Sequence, residues 1–587
     1  MPEQQFDAVI VGSGFGGSVM AHRLSEAGMR VCLLERGKPF PPGSFPRSPH
    51  GLGRNWWDPS RGLYGMFQMW SFQGTEAMVS SGLGGGSLIY ANVLIRKDED
   101  WFREDGADGS YREWPVTRRE LDPHYDRVEK MMCAQRYPLD QAPYNRTTKT
   151  LAFKRAAETL KSRGMQLDWY LPLLAVTFAN RDASGQLGPA VPGDQIVGEP
   201  QNLHRRQRFT CRLCGECDAG CNYGSKNTLD YTYLSAAWRG GADIRTLCEV
   251  RHFKPNDGGR GYIVQYVRHD AENLEGKPHD TGSLPIESIV ADRLILSAGT
   301  LGTNFLLLKN RAAFPKLSPR LGERFSTNGD LLTFASDCVD RSVDPPQPRI
   351  IDPSHGPVIT STIRIGDKLD GKGDTGRGFY LQDAGYPEFF NWVIEAANAP
   401  GLIERGLKFA WRRFQHWWTG DPQSELSSQV ADLIGPAEKS AGSMPLLGMG
   451  RDIPDGRFSL KTNKQGRQFL ELDWKDVASA PYFDAVTKFS GQIADVLGAK
   501  HFIQNPDTQF LKRLITVHGL GGCSMGRSAE EGVIDNRGRV FNYPGLYVAD
   551  GSIMPGPVGT NPSLTIAALS DRFADGIIEE FKSGRSA

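Results

Sequence analysis

Residues 6–11 (FDAVIV) form a short, continuously apolar run, the pattern of a strand buried on both faces of a parallel sheet. A glycine-rich turn, GSGFGG, follows, then a helical pattern over 18–28 with Val19, Leu24 and Ala27 as its apolar positions. Residues 30–34 (RVCLL) predict a second strand that ends in Glu35, which completes a βαβ opening. Residues 38–75 are rich in Pro, Gly and aromatics and predict an irregular excursion, and 76–95 a glycine-rich loop entering an apolar segment. Helices are expected over 117–134 and 149–164, the first opened by Thr117 and Glu120 at capping-box spacing. The stretch 242–298 reads as β-structure, in turn DIRTLCEV, YIVQYVRH and SIVADRLILSAG, after which Ala298-Gly299 turns into a helix through TNFLLLKNR. The stretch 331–510 is mixed, with aromatic-rich helices near 388–418. GRVFN and GLYVAD predict strands within 536–550, and a last helix is expected over 562–582. The organisation is therefore discontinuous. A nucleotide-binding lobe is assembled from the start, the middle and the last part of the chain, and the intervening segments make a second lobe.

At 587 residues the chain exceeds one ordinary domain of about 100–200 residues. Its 39% hydrophobic and 23% charged residues fit an ordinary globular protein, large enough to bury a core without disulfides. Lys+Arg at 68 balances Asp+Glu at 68, which argues against a nucleic-acid binder. The glycines are clustered rather than periodic, marking tight turns or backbone that must approach a ligand closely. No apolar run approaches the roughly 18–20 residues needed to span a bilayer. The start, MPEQQFDAVIVGSG, has neither a basic n-region nor an apolar h-region, so a cytoplasmic location is the expectation. The nine cysteines, four of them within Cys211–Cys221, do not form a secreted disulfide framework.

Gly12, Gly14 and Gly17 make GxGxxG between the first strand and its helix. Gly12 permits the tight turn, Gly14 lets the backbone approach a pyrophosphate, and Gly17 lets helix and strand pack closely. Phosphates would sit at the helix N-terminus, where free N–H groups favour negative charge. Glu35, at the end of the second strand, can accept hydrogen bonds from both ribose hydroxyls and would repel a 2′-phosphate. The motif alone does not separate FAD from NAD.

Four stretches decide that: DAVIVGSGFGGSVMAHRL with VCLLERG, VSSGLGGGSLIYANV, ADRLILSAGTLGTNFLLL, and HGLGGCSMG with GRVFNYPGLYVADGSIMPGPVGTNPSLTIAAL. In this order the chain resembles the glucose-methanol-choline (GMC) oxidoreductases, FAD-dependent alcohol oxidases and dehydrogenases. RFSTNGD (324–330), CNYGSKNTLDYTYL (221–234) and the DGS…NPSLTIAAL ending are similar to the cholesterol oxidase and long-chain alcohol oxidase branch. Gly519 departs from it, where the branch often has Pro after the histidine.

The resemblance implies an α/β fold: a Rossmann-like FAD-binding lobe from segments 1–45, 76–120, 205–330 and 512–587, and an α+β substrate-binding lobe with an antiparallel sheet from 46–75, 121–204 and 331–511. It implies His518 and Asn561 as the catalytic pair. Oxidising an alcohol removes a hydroxyl proton, which a neutral imidazole can take, and moves a hydride to flavin N5. A carboxamide can donate a hydrogen bond to the alcohol oxygen. Asn561-Pro562-Ser563 is also a helix start, with Asn as N-cap, so capping competes with catalysis for Asn561. The helix behind it would point its N-terminus at the flavin pyrimidine ring.

By the same resemblance Gly84, Gly85 and Ser87 run past the flavin, with Asn92 near its ring edge. Phe15, Val250, Ala298, Gly299, Asp550 and Gly551 complete the cofactor set. The stretch 52–123 contains no His, so FAD is expected to be non-covalent. Glu395 in NWVIEAANAPGL is a candidate third catalytic group or an ordinary helix carboxylate. The substrate expected is a bulky, hydrophobic alcohol, sterol or long-chain; the electron acceptor, oxygen, a quinone or a protein, stays open. A lyase or photodecarboxylase on the same scaffold, or a flavin and iron–sulfur electron-transfer protein, are the alternatives.

Cys211, Cys214, Cys217 and Cys221 give C-x2-C-x2-C-x3-C, the run typical of bacterial ferredoxins, with Asn222 in place of the usual Pro. An iron–sulfur cluster and a structural or zinc role are both open, although zinc usually wants two Cys pairs separated by a longer loop. In FAWRRFQHWW, Trp411, Phe414 and Trp418 fall at helical spacing beside Arg412 and Arg413, as a core stripe or as a lid or membrane-surface patch admitting apolar substrates.

Overall fold

The computed structural model describes residues 4–105, 111–257, 260–371, 376–387, 441–504 and 514–584. At its centre is a five-stranded, all-parallel sheet in the order Asp243–Arg245, Val31–Leu34, Ala8–Val11, Leu294–Leu296, Leu546–Val548. Four of these strands are buried along their whole length, which is why they appear in the sequence as unbroken apolar runs rather than alternations. Helix Phe15–Glu26 leaves the glycine turn and packs against helix Tyr233–Arg239 and the last helix, Ser563–Lys582.

Beside it lies a four-stranded sheet, Gln4–Phe6, Ile286–Ala291, Tyr262–Arg268, Cys248–Pro255. Two apolar runs that the sequence presents as single units are divided between the sheets. DIRTLCEV becomes Asp243–Arg245 in the parallel sheet and Cys248–Pro255 in the other. Leu247 makes the turn between them in the left-handed region, at φ 58°. SIVADRLIL splits in the same way into Ile286–Ala291 and Leu294–Leu296.

A six-stranded antiparallel sheet carries a second core, in the order Asp168–Tyr170, Thr362–Ile365, Phe379–Asp383, Met444–Gly450, Leu331–Ser336, His501–Gln504. Helices Thr148–Ser162 and Ala480–Leu497 pack on one face. The approach is close: a Cβ on Gly448 would meet Val486 Cγ1 at 2.4 Å. Leu332, Phe334, Pro445 and Leu447 from this sheet line a large cavity.

Helix Arg118–Met131 has the expected capping box. Glu120 N–H donates to Thr117 Oγ1 and Thr117 N–H to the Glu120 carboxylate. GRVFN does not form the predicted strand. It folds back around Gly538 (φ 82°) and makes only isolated bridges, Ile534 to Val540 and Arg539 to Tyr547. The aromatic-rich stretch at 388–418, with Glu395, Trp411, Arg412, Arg413, Phe414 and Trp418, lies outside the described residues. No helix among the described residues is long and apolar enough to cross a membrane.

Candidate active site

The ends of the parallel strands and one face of the antiparallel sheet enclose a cavity of about 1650 Å³. Ordinary ligand pockets hold roughly 300–1,000 Å³, so this one has room for a dinucleotide and a second bulky molecule. The glycine turn forms one end. A Cβ on Gly12 (φ 98°) would meet the Ser297 carbonyl oxygen at 2.3 Å, and one on Gly17 the Gly12 oxygen at 2.0 Å, so both are packing glycines. Gly14 lines the cavity, and a Cβ there would meet nothing within 4 Å, leaving its outer face to a ligand. Gly16, which the motif does not single out, is the tightest: its Cβ would lie 1.5 Å from the Ala549 oxygen.

Glu35 lines the same end. Its carboxylate accepts from Ser13 N (3.0 Å), Ser13 Oγ (2.6 Å) and Gly37 N (2.8 Å). Burial pushes the Glu35 carboxyl up, and these hydrogen bonds pull against it. Asp550 is likewise pushed up by burial; it accepts from Ser552 N and Oγ and from Thr303 Oγ1. Phe15, Gly85, Val250, Ala298, Gly299 and Gly551 also line the cavity. Gly84, Ser87 and Asn92 do not. Gly84 and Ser87 shape the loop instead, Ser87 Oγ donating to Gly84 O and Gly84 N–H to Ser13 Oγ. Asn92 is fully buried at φ 69°, and its neighbours Tyr90, Ala91 and Val93 line the cavity.

The residues present fit a flavin dinucleotide. Trp70 Nε1, Ser80 Oγ, Arg251 Nε and Ser563 Oγ are buried polar atoms without a protein partner, and all four residues line this cavity. Each such orphan costs roughly 1–3 kcal/mol unless a ligand satisfies it.

His518 and Asn561 line the cavity together, from different loops. The His518 Nδ1–H donates to Asp330 Oδ1 at 2.7 Å. Asp330 Oδ2 accepts from Thr516 Oγ1 (2.8 Å), Val517 N (2.9 Å) and His518 N (3.1 Å). With Nδ1 engaged, Nε2 is the nitrogen left to a substrate. Asn561 is held by Gln382 of the antiparallel sheet: Gln382 Nε2 donates to Asn561 Oδ1 at 2.8 Å, and Asn561 Nδ2 donates to Gln382 Oε1 at 3.4 Å. Asn561 is not the helix cap. Helix Ser563–Lys582 has Pro562 at that position and no side-chain capping bond, because the Asn561 amide is turned to Gln382.

The cysteine loop Cys211–Cys221 runs beside the cavity, which Asp218 and Ala219 line. Among the described residues no three metal-ligating groups that include these sulfurs come within 4.8 Å of one another. The loop therefore has no preformed tetrathiolate for zinc, with its bonds of about 2.3 Å, and no observation favours an iron–sulfur cluster. Burial pushes the Cys214 thiol up to about 12 and the Cys211 thiol well above its ordinary value, so both are neutral thiols.

Two partners escaped the sequence reading, Asp330 and Gln382. Asp330 closes the RFSTNGD stretch, but nothing local ties it to His518. Gln382 sits beside Asp383 at the end of the strand FYLQD, both fully buried, and only the buried amide hints at a role.

Comparison with known proteins gives the family. Residues 6–327 match the N-terminal family model described as GMC oxidoreductase, and residues 465–570 match its C-terminal counterpart. A cholesterol oxidase of Mycobacterium tuberculosis is 29% identical, with 97% of this chain and 90% of that one covered. A cholesterol oxidase of Acinetobacter baumannii is 28% identical over 97% and 93%. A 2-methyl-1,2-propanediol dehydrogenase of Mycolicibacterium austroafricanum is 24% identical over 98% and 96%. Among solved structures, a pyridoxine 4-oxidase from Mesorbium loti shares the fold at a TM-score of 0.54 and 17% identity, covering 97% of this chain and 98% of that one. With family models spanning the glycine turn at one end and both cavity-lining polar residues at the other, the chain belongs to the GMC oxidoreductase family.

Proposed function

We propose that this GMC oxidoreductase oxidises the CH–OH group of a bulky, hydrophobic alcohol, of sterol or long-chain type, using non-covalent FAD. One observation carries the reading: His518 and Asn561 reach one cavity from separate loops, and each is fixed by its own buried partner, Asp330 and Gln382. The glycine turn and helix Phe15–Glu26 would hold the pyrophosphate, and Glu35 the adenosine ribose. FAD, when bound, supplies the two-electron chemistry by accepting the carbinol hydride.

The chain's own residues do the rest. His518 Nε2 takes the hydroxyl proton, and the Asp330 carboxylate stabilises the imidazolium that results. The free N–H of Asn561 donates to the substrate oxygen, with its plane fixed by Gln382. The N-terminus of helix Ser563–Lys582 opens on the cavity, where its positive partial charge would favour the negative charge of a reduced flavin. Leu332, Phe334, Tyr386 and Leu447 give the substrate region apolar walls that exclude water. Relatives named cholesterol oxidase and long-chain-alcohol oxidase agree with such walls. The division into an FAD-binding and a substrate-binding lobe belongs to the same reading, although Leu121, Tyr125 and Val128 of the 121–204 segment pack in the core of the parallel sheet.

The test is the absorbance spectrum of the purified protein, followed by anaerobic addition of sterol, long-chain and short alcohols. A flavin spectrum that bleaches with a bulky apolar alcohol, with release of the matching ketone or aldehyde, supports the proposal. A flavin that no alcohol bleaches overturns it.

A further inference from the structure

One turn touches both halves of the proposed catalytic pair. Residues 326–330 run Ser-Thr-Asn-Gly-Asp. Asp330, at the end, holds His518. Asn328, two residues earlier and fully buried, uses both ends of its amide on the segment leading into Asn561. Its Oδ1 accepts from Gly559 N at 2.9 Å and its Nδ2 donates to Thr560 O at 2.9 Å. These are the peptide groups immediately before Asn561.

The turn itself is fixed from several sides. Asn328 (φ 57°) and Gly329 (φ 67°) are both left-handed, a pair of conformations that only such residues adopt readily. Asp452 accepts from Thr327 N (2.8 Å), Thr327 Oγ1 (2.9 Å) and Ser326 Oγ. Tyr482 OH donates to Gly329 O at 2.8 Å, and Gly450 N to Asn328 O at 3.0 Å. Ser326 exchanges backbone hydrogen bonds with Leu520, two residues past His518. Lys97 holds the far side of the Asn561 loop, donating to Pro557 O and Val558 O.

His518 and Asn561 come from loops 43 positions apart, and this turn is hydrogen-bonded to the segment that carries each. We infer that Asn328 is a positioning residue for the alcohol oxidation: its amide, in one rigid turn with Asp330, sets where the Asn561 carboxamide stands relative to the His518 imidazole. The inference rests on the catalytic reading of that pair. Asn328 touches no substrate; it acts through Asn561. A displacement of about 1 Å in a reacting constellation can lower the rate on the order of 100-fold.

The test is a double-mutant cycle read on the holoenzyme by anaerobic stopped-flow flavin reduction. Asn328→Gly keeps the left-handed backbone and removes only the amide. Asn328→Asp keeps the acceptor for Gly559 but sets an oxygen against Thr560 O. FAD content per chain is measured for each, so that a variant that fails to fold is recognised, and the other then carries the test. The expected result is that each slows reduction by about 10- to 100-fold at saturating substrate, with KM within about threefold of wild type. In an Asn561→Ala background the same substitution should cost less than about twofold, because residues that act as a unit are non-additive. Asn328→Gly adds and removes no titrating group, so its pH profile of reduction should keep the wild-type inflection. Wild-type reduction rates in the Asn328 variants, or an equal loss in both backgrounds, overturn the inference. Failure of the underlying reading looks different: Asn561→Ala alone then reduces at the wild-type rate.

Discussion

The His518 Nδ1–H donates to Asp330 Oδ1 across 2.7 Å, and the other oxygen of that carboxylate gathers Thr516 Oγ1 and the N–H groups of Val517 and His518. One carboxylate thus fixes the ring tautomer, the ring plane and the backbone that carries it. Asp330→Asn keeps the shape but sets an NH2 group against these donors and removes the charge that supports an imidazolium. Flavin reduction should fall by on the order of 10²–10⁴. Its pH inflection should move as well, which a purely structural loss does not produce. Stopped-flow reduction across pH checks both; an unchanged rate contradicts the pairing.

Gln382 ties the antiparallel sheet to Asn561. Gln382→Leu removes the partner and leaves the Asn561 carbonyl buried and unsatisfied. The expected outcome is a kcat lower by about tenfold, with FAD content unchanged, since Gln382 does not line the cavity. Steady-state kinetics with the flavin absorbance ratio measure both; loss of FAD with kcat per flavin intact would contradict this role.

Two neighbouring glycines should separate folding from cofactor binding. Gly14→Ala meets nothing in the chain, whereas Gly16→Ala drives a methyl to 1.5 Å from the Ala549 oxygen. Gly14→Ala should fold with a wild-type melting temperature once FAD is stripped, yet bind FAD more weakly. Gly16→Ala should lose stability in both states, by about 1–3 kcal/mol or more. Calorimetry of stripped and loaded protein distinguishes the two, and equal destabilisation would contradict the assignment of Gly14 to the ligand.

The turn that joins the pair rests on Asp452, whose carboxyl burial pushes up to about 7, against the pull of the Ser326 and Thr327 hydrogen bonds. Raised above its unfolded value, this group holds more protons in the folded than in the unfolded state between about pH 4 and 7. Its contribution to stability is full below that window and lost as pH rises through about 7. Asp452→Asn has no such loss, so the melting temperature of the variant minus that of wild type should grow from pH 5 to 7 and level off above. Parallel pH profiles would contradict the shift.

Much of this was legible in local patterns. The βαβ opening, the capping box at Thr117 and Glu120 and the last helix are set by residues within a few positions of one another. GRVFN misled because Val540 and Phe541 are strand-forming residue types, while Gly538 turns the chain back and leaves only isolated bridges. The Asn561 cap was plausible on propensity and lost to a tertiary partner, since an amide already paired with Gln382 cannot also cap. Asp330 and Gln382 were hidden for the same physical reason: hydrogen bonds across 188 and 179 positions leave no periodic trace in a single sequence.

The proton-accepting role of His518 is the claim on which the others stand. The most direct measurement is the single-turnover rate of anaerobic flavin reduction by a saturating apolar alcohol in His518→Gln holoenzyme, matched to wild type for FAD content. The account predicts a rate lower by on the order of 10²–10⁴ with the flavin spectrum intact. Reduction within about threefold of wild type would contradict it.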